Sequence, residues 1–156
     1  VIQHLVISTG QQLPFLQYVV ALSVVQAVQL LCARVPQAKS FDLKVKWPND
    51  LYVGELKVGG VLCNSSYRDG QFLVAMGVGL NVSNREPTTC INAALGCTDP
   101  TDDPVTSEAL LAEILNRLDA NLATFTREGF LPMKASYLAN WLHSGQRVML
   151  EEGDQT

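Results

Sequence analysis

Between residues 13 and 33 the chain carries no charged side chain. A run of that length either crosses a bilayer, which takes about twenty apolar residues, or lies inside a fold large enough to bury it. Gln17, Ser23, Gln26 and Gln29 interrupt the run, and a stripe of amides is costly in lipid. A buried helix of a globular domain is therefore predicted, with no membrane partner. Pro14 suits its first turn, and Phe15, Val19 and Leu22 recur at helical spacing. Arg34, Pro36 and the polar residues 37–40 end it. The chain's 156 residues, 47% of them apolar, are enough for one domain with a core to receive such a helix.

A net charge of -4 argues against nucleic acid as a partner, since that calls for a basic face. It leaves room for a single nucleotide served by a few local lysines. The cysteines, Cys32, Cys63, Cys90 and Cys97, form no C-x-x-C pair, and His4 and His143 lie far apart. Free thiols of a reducing compartment are expected rather than a zinc site. Residue 1 is a valine and no basic leader precedes an apolar stretch, so no signal peptide is expected and the chain reads as a piece of something longer.

The middle of the chain changes period. Residues 1–8 read as a β-branched strand. Residues 41–47 alternate, with Leu43, Val45 and Trp47 on one side and Asp42, Lys44 and Lys46 on the other. Pro48 stops that ladder, and Asn49-Asp50 forms a turn. Residues 51–53 and 56–66 are strands joined by the two-residue turn Gly54-Glu55, and Asp69-Gly70 turns the chain into a third strand over 72–82. A loop over 83–105 holds a short helix near 91–95. Thr106 or Ser107 caps a longer helix whose apolar stripe is Leu111, Ile114, Leu115, Leu118, Leu122 and Phe125, ending near Gly129. A further helix is predicted over 131–142, with Tyr137, Leu138 and Trp141 inward, and a last strand over 145–150. The fold class is α+β, a mixed or antiparallel central sheet flanked by helices on one face.

Set into these apolar runs is a polar knot, Lys44-Val45-Lys46-Trp47-Pro48-Asn49-Asp50, followed by Lys57 and Gly59-Gly60. Charges in such surroundings are costly unless paired or used. One hairpin separates Lys46 from Lys57, and two lysines facing one cleft suit an anion. Gly59, Gly60, Gly77 and Gly79 would leave a trough of bare backbone for a flat ligand. Asn49 and Asn81 offer the paired donor and acceptor an adenine edge requires. Asp50 could hold a metal or orient a lysine. Trp47, Val61 and Leu62 would wall the pocket. Each residue also has an ordinary reading: lysines on a strand are solvated, strand glycines mark bulges, and Asp50 builds its turn.

Three ordered blocks resemble the catalytic domain of biotin–protein ligases, the eukaryotic holocarboxylase synthetases in particular. They are Lys46-Trp47-Pro48-Asn49-Asp50-Leu51, Lys57-x-Gly59-Gly60-Val61-Leu62 and Gly77-Val78-Gly79-Leu80-Asn81-Val82. The resemblance implies a class II synthetase-like fold over residues 1–143, with 144–156 opening a small C-terminal β-barrel. It implies ATP and Mg2+, biotin as substrate, activation as biotinyl-5′-AMP, and transfer to a lysine on the biotin carrier domain of a carboxylase. Carried over residue by residue, Lys57, Asp50 and Lys46 would be catalytic, with Asp50 the Mg2+ ligand. Biotin would lie on Lys57, Gly60, Val61, Leu62, Gly77 and Gly79, and the nucleotide on Lys46, Asn49 and Asn81. A cytoplasmic location follows, with the mitochondrion as alternative. The family's Gly/Arg-rich loop and its Ser/Thr-rich biotin-gripping segment are not among these residues, so a fragment with about half of the active site is expected. A lipoate–protein ligase is the nearest rival, and a non-catalytic protein-binding module of the same fold is another.

Overall fold

The structure, a computed structural model, describes residues 2–3, 10–147 and 149. The uncharged run forms α1 (Leu13–Cys32), entered through a 3-10 turn at Gly10–Gln12 with Pro14 in its first turn. By length and composition α1 could cross a membrane, but here Leu16, Val19, Val20, Leu22, Val24, Val25 and Val28 are buried in the core. Its polar side chains are each tied to another part of the fold. Gln17 Nε2 donates to Pro48 O at 2.8 Å. Asn121 Nδ2 donates to Gln26 Oε1 and Ser23 Oγ, both at 2.9 Å. Gln29 Nε2 donates to Asn140 Oδ1 at 3.0 Å.

The sheet comprises β1 (Ile2–Gln3), β2 (Leu43–Lys46), β3 (Asp50–Val53), β4 (Leu56–Arg68) and β5 (Gln71–Leu80), in the order β1-β5-β4-β3-β2 and antiparallel throughout. Both predicted hairpin turns are present. Gly54 has φ +58, and Asp69 and Gly70 have φ of 51 and 81, the left-handed pair that a type I′ turn needs. On the edge of β2, Val45 N donates to Asn140 O at 2.8 Å and Leu142 N to Val45 O at 2.9 Å. The predicted helix over 131–142 stops early for that reason. It splits into a 3-10 turn at Leu131–Met133 and α4 (Lys134–Ala139), which frees 140–142 to pair with β2. Tyr137 is buried there, while Leu138 and Trp141 are half-buried.

The core lies between α1 and one face of the sheet, where Leu43, Val45, Leu51, Val58, Val61 and Val74 are buried. The short helix appears as α2 (Ile91–Ala94), and α3 (Ser107–Glu128) then packs on α1. Thr106 caps α3 through its hydroxyl, which accepts from Ala109 N at 3.2 Å, and Gly129 ends it with φ +73. The predicted stripe is off by one position at its start. Leu110 is buried, with Ile114, Leu118, Leu122 and Phe125, whereas Leu111 and Leu115 are exposed. A helix resting chiefly on one other helix buries a narrow seam, and Leu111 and Leu115 fall beside it.

Of the strand predicted over 1–8, Ile2–Gln3 pairs with β5, and His4 lies outside the described residues. Of the strand predicted over 145–150, Gly145 is in a turn and Gln146, Arg147 and Met149 are in no strand; Val148 and Leu150 lie outside the described residues.

Candidate functional site

The helices cover one face of the sheet, and the knot residues collect on the other. Residues directly opposed in an antiparallel ladder share a face. Lys46 opposes Asp50, Asp50 opposes Gly60, Tyr52 opposes Lys57, Gly60 opposes Gly79, and Leu62 opposes Gly77. Lys57 and Gly60 are three apart, so strict alternation would send them to opposite faces. A bulge between the Leu51 and Tyr52 pairings takes up Val58, which is buried, and brings both to the open side.

The result is a cleft of about 440 Å³ lined by Asn49, Asp50, Lys57, Gly60, Val61, Leu62, Gly77, Val78 and Gly79. Lys57 Nζ lies 2.6 Å from Asp50 Oδ1, with both side chains partly exposed. Such a pair contributes about 0–1 kcal/mol, so an arriving anion can compete for the ammonium. The floor is backbone. A Cβ at Gly79 would meet nothing within 4 Å, and one at Gly77 would come only to 3.7 Å from Leu62 O. At Gly60 it would press to 3.2 Å from both Asn49 O and Asp50 Oδ1. Gly59 serves a different purpose: a Cβ there would lie 2.4 Å from Gly79 O, so the close approach of β4 and β5 demands a glycine.

Besides Gly59, three predicted residues are not part of this lining. Lys46 is on the same side of the sheet, but its Nζ rests 4.8 Å from the centroid of the Tyr52 ring. Asn81 spends its amide on the loop that follows, donating to Thr89 O at 3.2 Å and Thr88 Oγ1 at 3.4 Å. Trp47, expected as a wall of the cleft, is 58% exposed. It turns instead toward a larger cavity of about 550 Å³, shared with Phe15, Tyr18, Phe130, Tyr137 and Trp141. That cavity is the roomier of the two, but Lys134 is its one charged lining residue, so it lacks the paired acid and base groups that chemistry requires. Lys44 is structural, with Nζ donating to Ala139 O at 2.9 Å and lying 3.2 Å from Asp42 Oδ2.

Sequence reasoning missed Gln17, which holds the Pro48 carbonyl beside the turn, and Tyr52. It also missed Asn92, which is fully buried. Its Nδ2 lies within bonding distance of Val82 O and Val105 O at 3.1 and 2.8 Å, and its Oδ1 accepts from Val105 N at 3.1 Å. These contacts draw together the two ends of the loop over 83–105. Nothing in the apolar period marks a buried asparagine. Burial pushes the thiol of Cys63, next in sequence to the lining residue Leu62, up to about 11, so it is a poor nucleophile at neutral pH. Among the described residues no group of three or more His, Cys, Asp or Glu could hold a metal. The cleft can thus neutralise and orient anions against bare backbone, without a thiolate to attack them.

Comparison with known proteins places this geometry. The model of the Biotin/lipoate A/B protein ligase family matches residues 4–81, half of the chain. The chain is 43% identical to Biotin–protein ligase 2 of Arabidopsis thaliana over 94% of its own length and 44% of that protein. It is 35% identical to the human Biotin–protein ligase over 90% of its own length and 20% of that protein. The chain therefore spans less than half the length of these curated relatives. Among solved structures it resembles the biotin protein ligase of Aquifex aeolicus in complex with biotin and ATP. That match has a TM-score of 0.65 and 27% identity, covering 85% of this chain and 53% of that one.

Proposed function

The chain belongs to the biotin/lipoate A/B protein ligase family, and from that premise we propose that it is part of an ATP-dependent biotin–protein ligase. Its fold is the class II synthetase-like α+β arrangement of its structural neighbours. In the proposed reaction the biotin carboxylate attacks the α-phosphate of ATP, pyrophosphate leaves, and biotinyl-5′-AMP forms. A lysine amine on a carboxylase's biotin carrier domain then attacks the mixed anhydride, releasing AMP and forming an amide.

The observation that carries this reading is a weakly paired lysine beside a backbone floor. Lys57, itself half-exposed, is held by the partly exposed Asp50 carboxylate, over Gly60, Gly77 and Gly79. Two anions must meet for the first step, and their repulsion is the barrier. An ammonium placed between them offsets it and stabilises charge developing on the α-phosphate. Asp50 keeps Lys57 aimed until substrate arrives, and Lys46 serves the phosphate side. Gly60, Leu62, Gly77 and Gly79, with the backbone of Val61, hold the biotin rings, and Asn49 faces the nucleotide. Mg2+ fits here only as a companion of ATP. Asp50 is the one carboxylate in the lining, and Mg2+ is commonly bound by one or two carboxylates together with substrate phosphates. When bound it would shield phosphate charge. Residues 1–143 are taken as the catalytic part, and the enzyme works in the cytoplasm.

The test is Lys57→Ala in the full-length protein, following biotin-dependent pyrophosphate release. A fall of about 10² or more is expected, the size of losing one preorganised charge-stabilising group. An unchanged rate would return the chain to a binding module. Release with lipoate but not biotin would move it to the other branch of the family.

A further inference from the structure

We infer that Tyr52 is a positioning residue that keeps the two cleft-side lysines on separate partners. The inference rests on the ligase reading above. Lys46 stands directly opposite Asp50 on the neighbouring strand, and opposite charges so placed ordinarily pair. They do not pair here. Asp50 Oδ1 holds Lys57 at 2.6 Å, and Lys46 Nζ lies over the Tyr52 ring at 4.8 Å. Tyr52 stands between the lysines of both flanking strands, opposite Lys44 on β2 and Lys57 on β4. Lys44 is drawn off to Ala139 O and Asp42, which leaves the ring face to Lys46.

The choice of an aromatic partner has a consequence. The negative face of a ring attracts an ammonium but does not neutralise it. Lys46 is therefore parked at full charge, beside the cleft and outside its lining. A carboxylate partner would compete with an incoming phosphate, whereas a ring competes weakly. Without the ring, Lys46 falls onto Asp50 and contends with Lys57 for the single carboxylate. Both cations then present the wrong geometry to the triphosphate. The ring is the working part of Tyr52 and its hydroxyl is dispensable.

The experiment compares Tyr52→Leu and Tyr52→Phe with wild type in the full-length protein, measuring KM for ATP and for biotin and kcat by pyrophosphate release. Tyr52→Leu should raise KM for ATP up to about fivefold, the cost of drawing Lys46 out of an exposed pairing with Asp50. KM for biotin should stay within about twofold, and Tyr52→Phe should restore the ATP value. Equal KM for ATP in wild type and Tyr52→Leu overturns the inference, as does a Tyr52→Phe protein as impaired as Tyr52→Leu. If Tyr52→Leu does not fold, the Lys46 ε-methylene proton shifts of wild type and Tyr52→Phe decide. Both should be displaced upfield by the ring current and relax when ATP is added, and unshifted protons overturn the inference. A wild-type protein that releases no pyrophosphate with biotin and ATP defeats the ligase reading itself. Release by wild type with no Tyr52 effect defeats this inference alone.

Discussion

Two glycines 20 residues apart in sequence make opposite demands, and exchanging each for a larger residue separates folding from binding. At Gly79 an added Cβ meets nothing within 4 Å, and its φ is not among the positive ones. Gly79→Val should therefore cost nothing in stability and can gain up to about 1 kcal/mol from a stiffer unfolded chain and a better strand residue. The isopropyl group, however, stands in the cleft. At Gly59 the same Cβ would lie 2.4 Å from Gly79 O and 2.8 Å from Leu80 Cδ1, where ordinary contact begins at 3.4 Å. Gly59→Ala forces an overlap of about 1 Å into the β4–β5 ladder, and overpacking of that kind costs about 1–3 kcal/mol. For a domain of this size that is roughly 2–12 °C in Tm. Urea denaturation gives the stabilities, and calorimetric titration with biotin on the full-length proteins gives binding. Gly79→Val should be as stable as wild type and bind biotin at least about tenfold more weakly. A Gly79→Val protein as unstable as Gly59→Ala, or one that binds biotin undiminished, would refute the picture of an open backbone floor.

Two further outcomes can be checked directly. Asn92→Ala should lower stability by about 2–4 kcal/mol in urea melts, because Val82 O and both polar groups of Val105 lose a buried partner at once. The raised thiols of Cys32 and Cys63, about 11 against an ordinary 9.0, favour the protonated form in the folded state. Their contribution to stability is complete below pH 9 and is lost as pH rises from 9 to 11. At pH 8 iodoacetamide should modify these two cysteines about a hundredfold more slowly than a free thiol, measured by mass spectrometry.

The legible part of the fold was whatever depended on local pattern. Gly54 and Asp69-Gly70 declared their turns because only such residues take left-handed backbone cheaply. Thr106 declared the start of α3, and the uncharged run declared α1. Less legible was anything decided between segments. Leu111 looked no different from Leu110, and only the position of α1 separates the exposed one from the buried one. Trp47 followed the alternation of β2 on paper, yet Pro48 ends the strand and releases its ring toward α1 and α4. The cleft shows both sides of this. Asp50, Lys57, Gly60 and Gly79 were visible as a chemical set. That Lys57 and Gly60 share a face was not visible from a period of two, because Val58 breaks the period.

Two ion pairs in this chain look alike in distance and differ in what they do, and burial is what separates them. Lys57 and Asp50 are 2.6 Å apart with side chains 48% and 28% exposed. Water screens them, they contribute about 0–1 kcal/mol, and charge-assisted hydrogen bonds to a phosphate, about 1.5–3 kcal/mol each, can take Lys57 away. Arg85 and Asp103 are 2.8 Å apart, but the Asp103 side chain is only 7% exposed, and Arg85 Nε and Asp103 Oδ2 are buried without partners. That pair cannot be exchanged for a ligand. Arg85→Leu should strand a buried carboxylate and destabilise the protein by about 3–5 kcal/mol. Replacing both residues, Arg85→Leu with Asp103→Leu, should recover most of that loss, since an apolar pair of similar size needs no compensation. Urea melts of the two proteins decide the matter. A double replacement as unstable as the single one would mean that Arg85 holds the loop over 83–105 by its contacts rather than by its charge. The distinction between a working charge and a structural one would then have to be drawn from something other than burial.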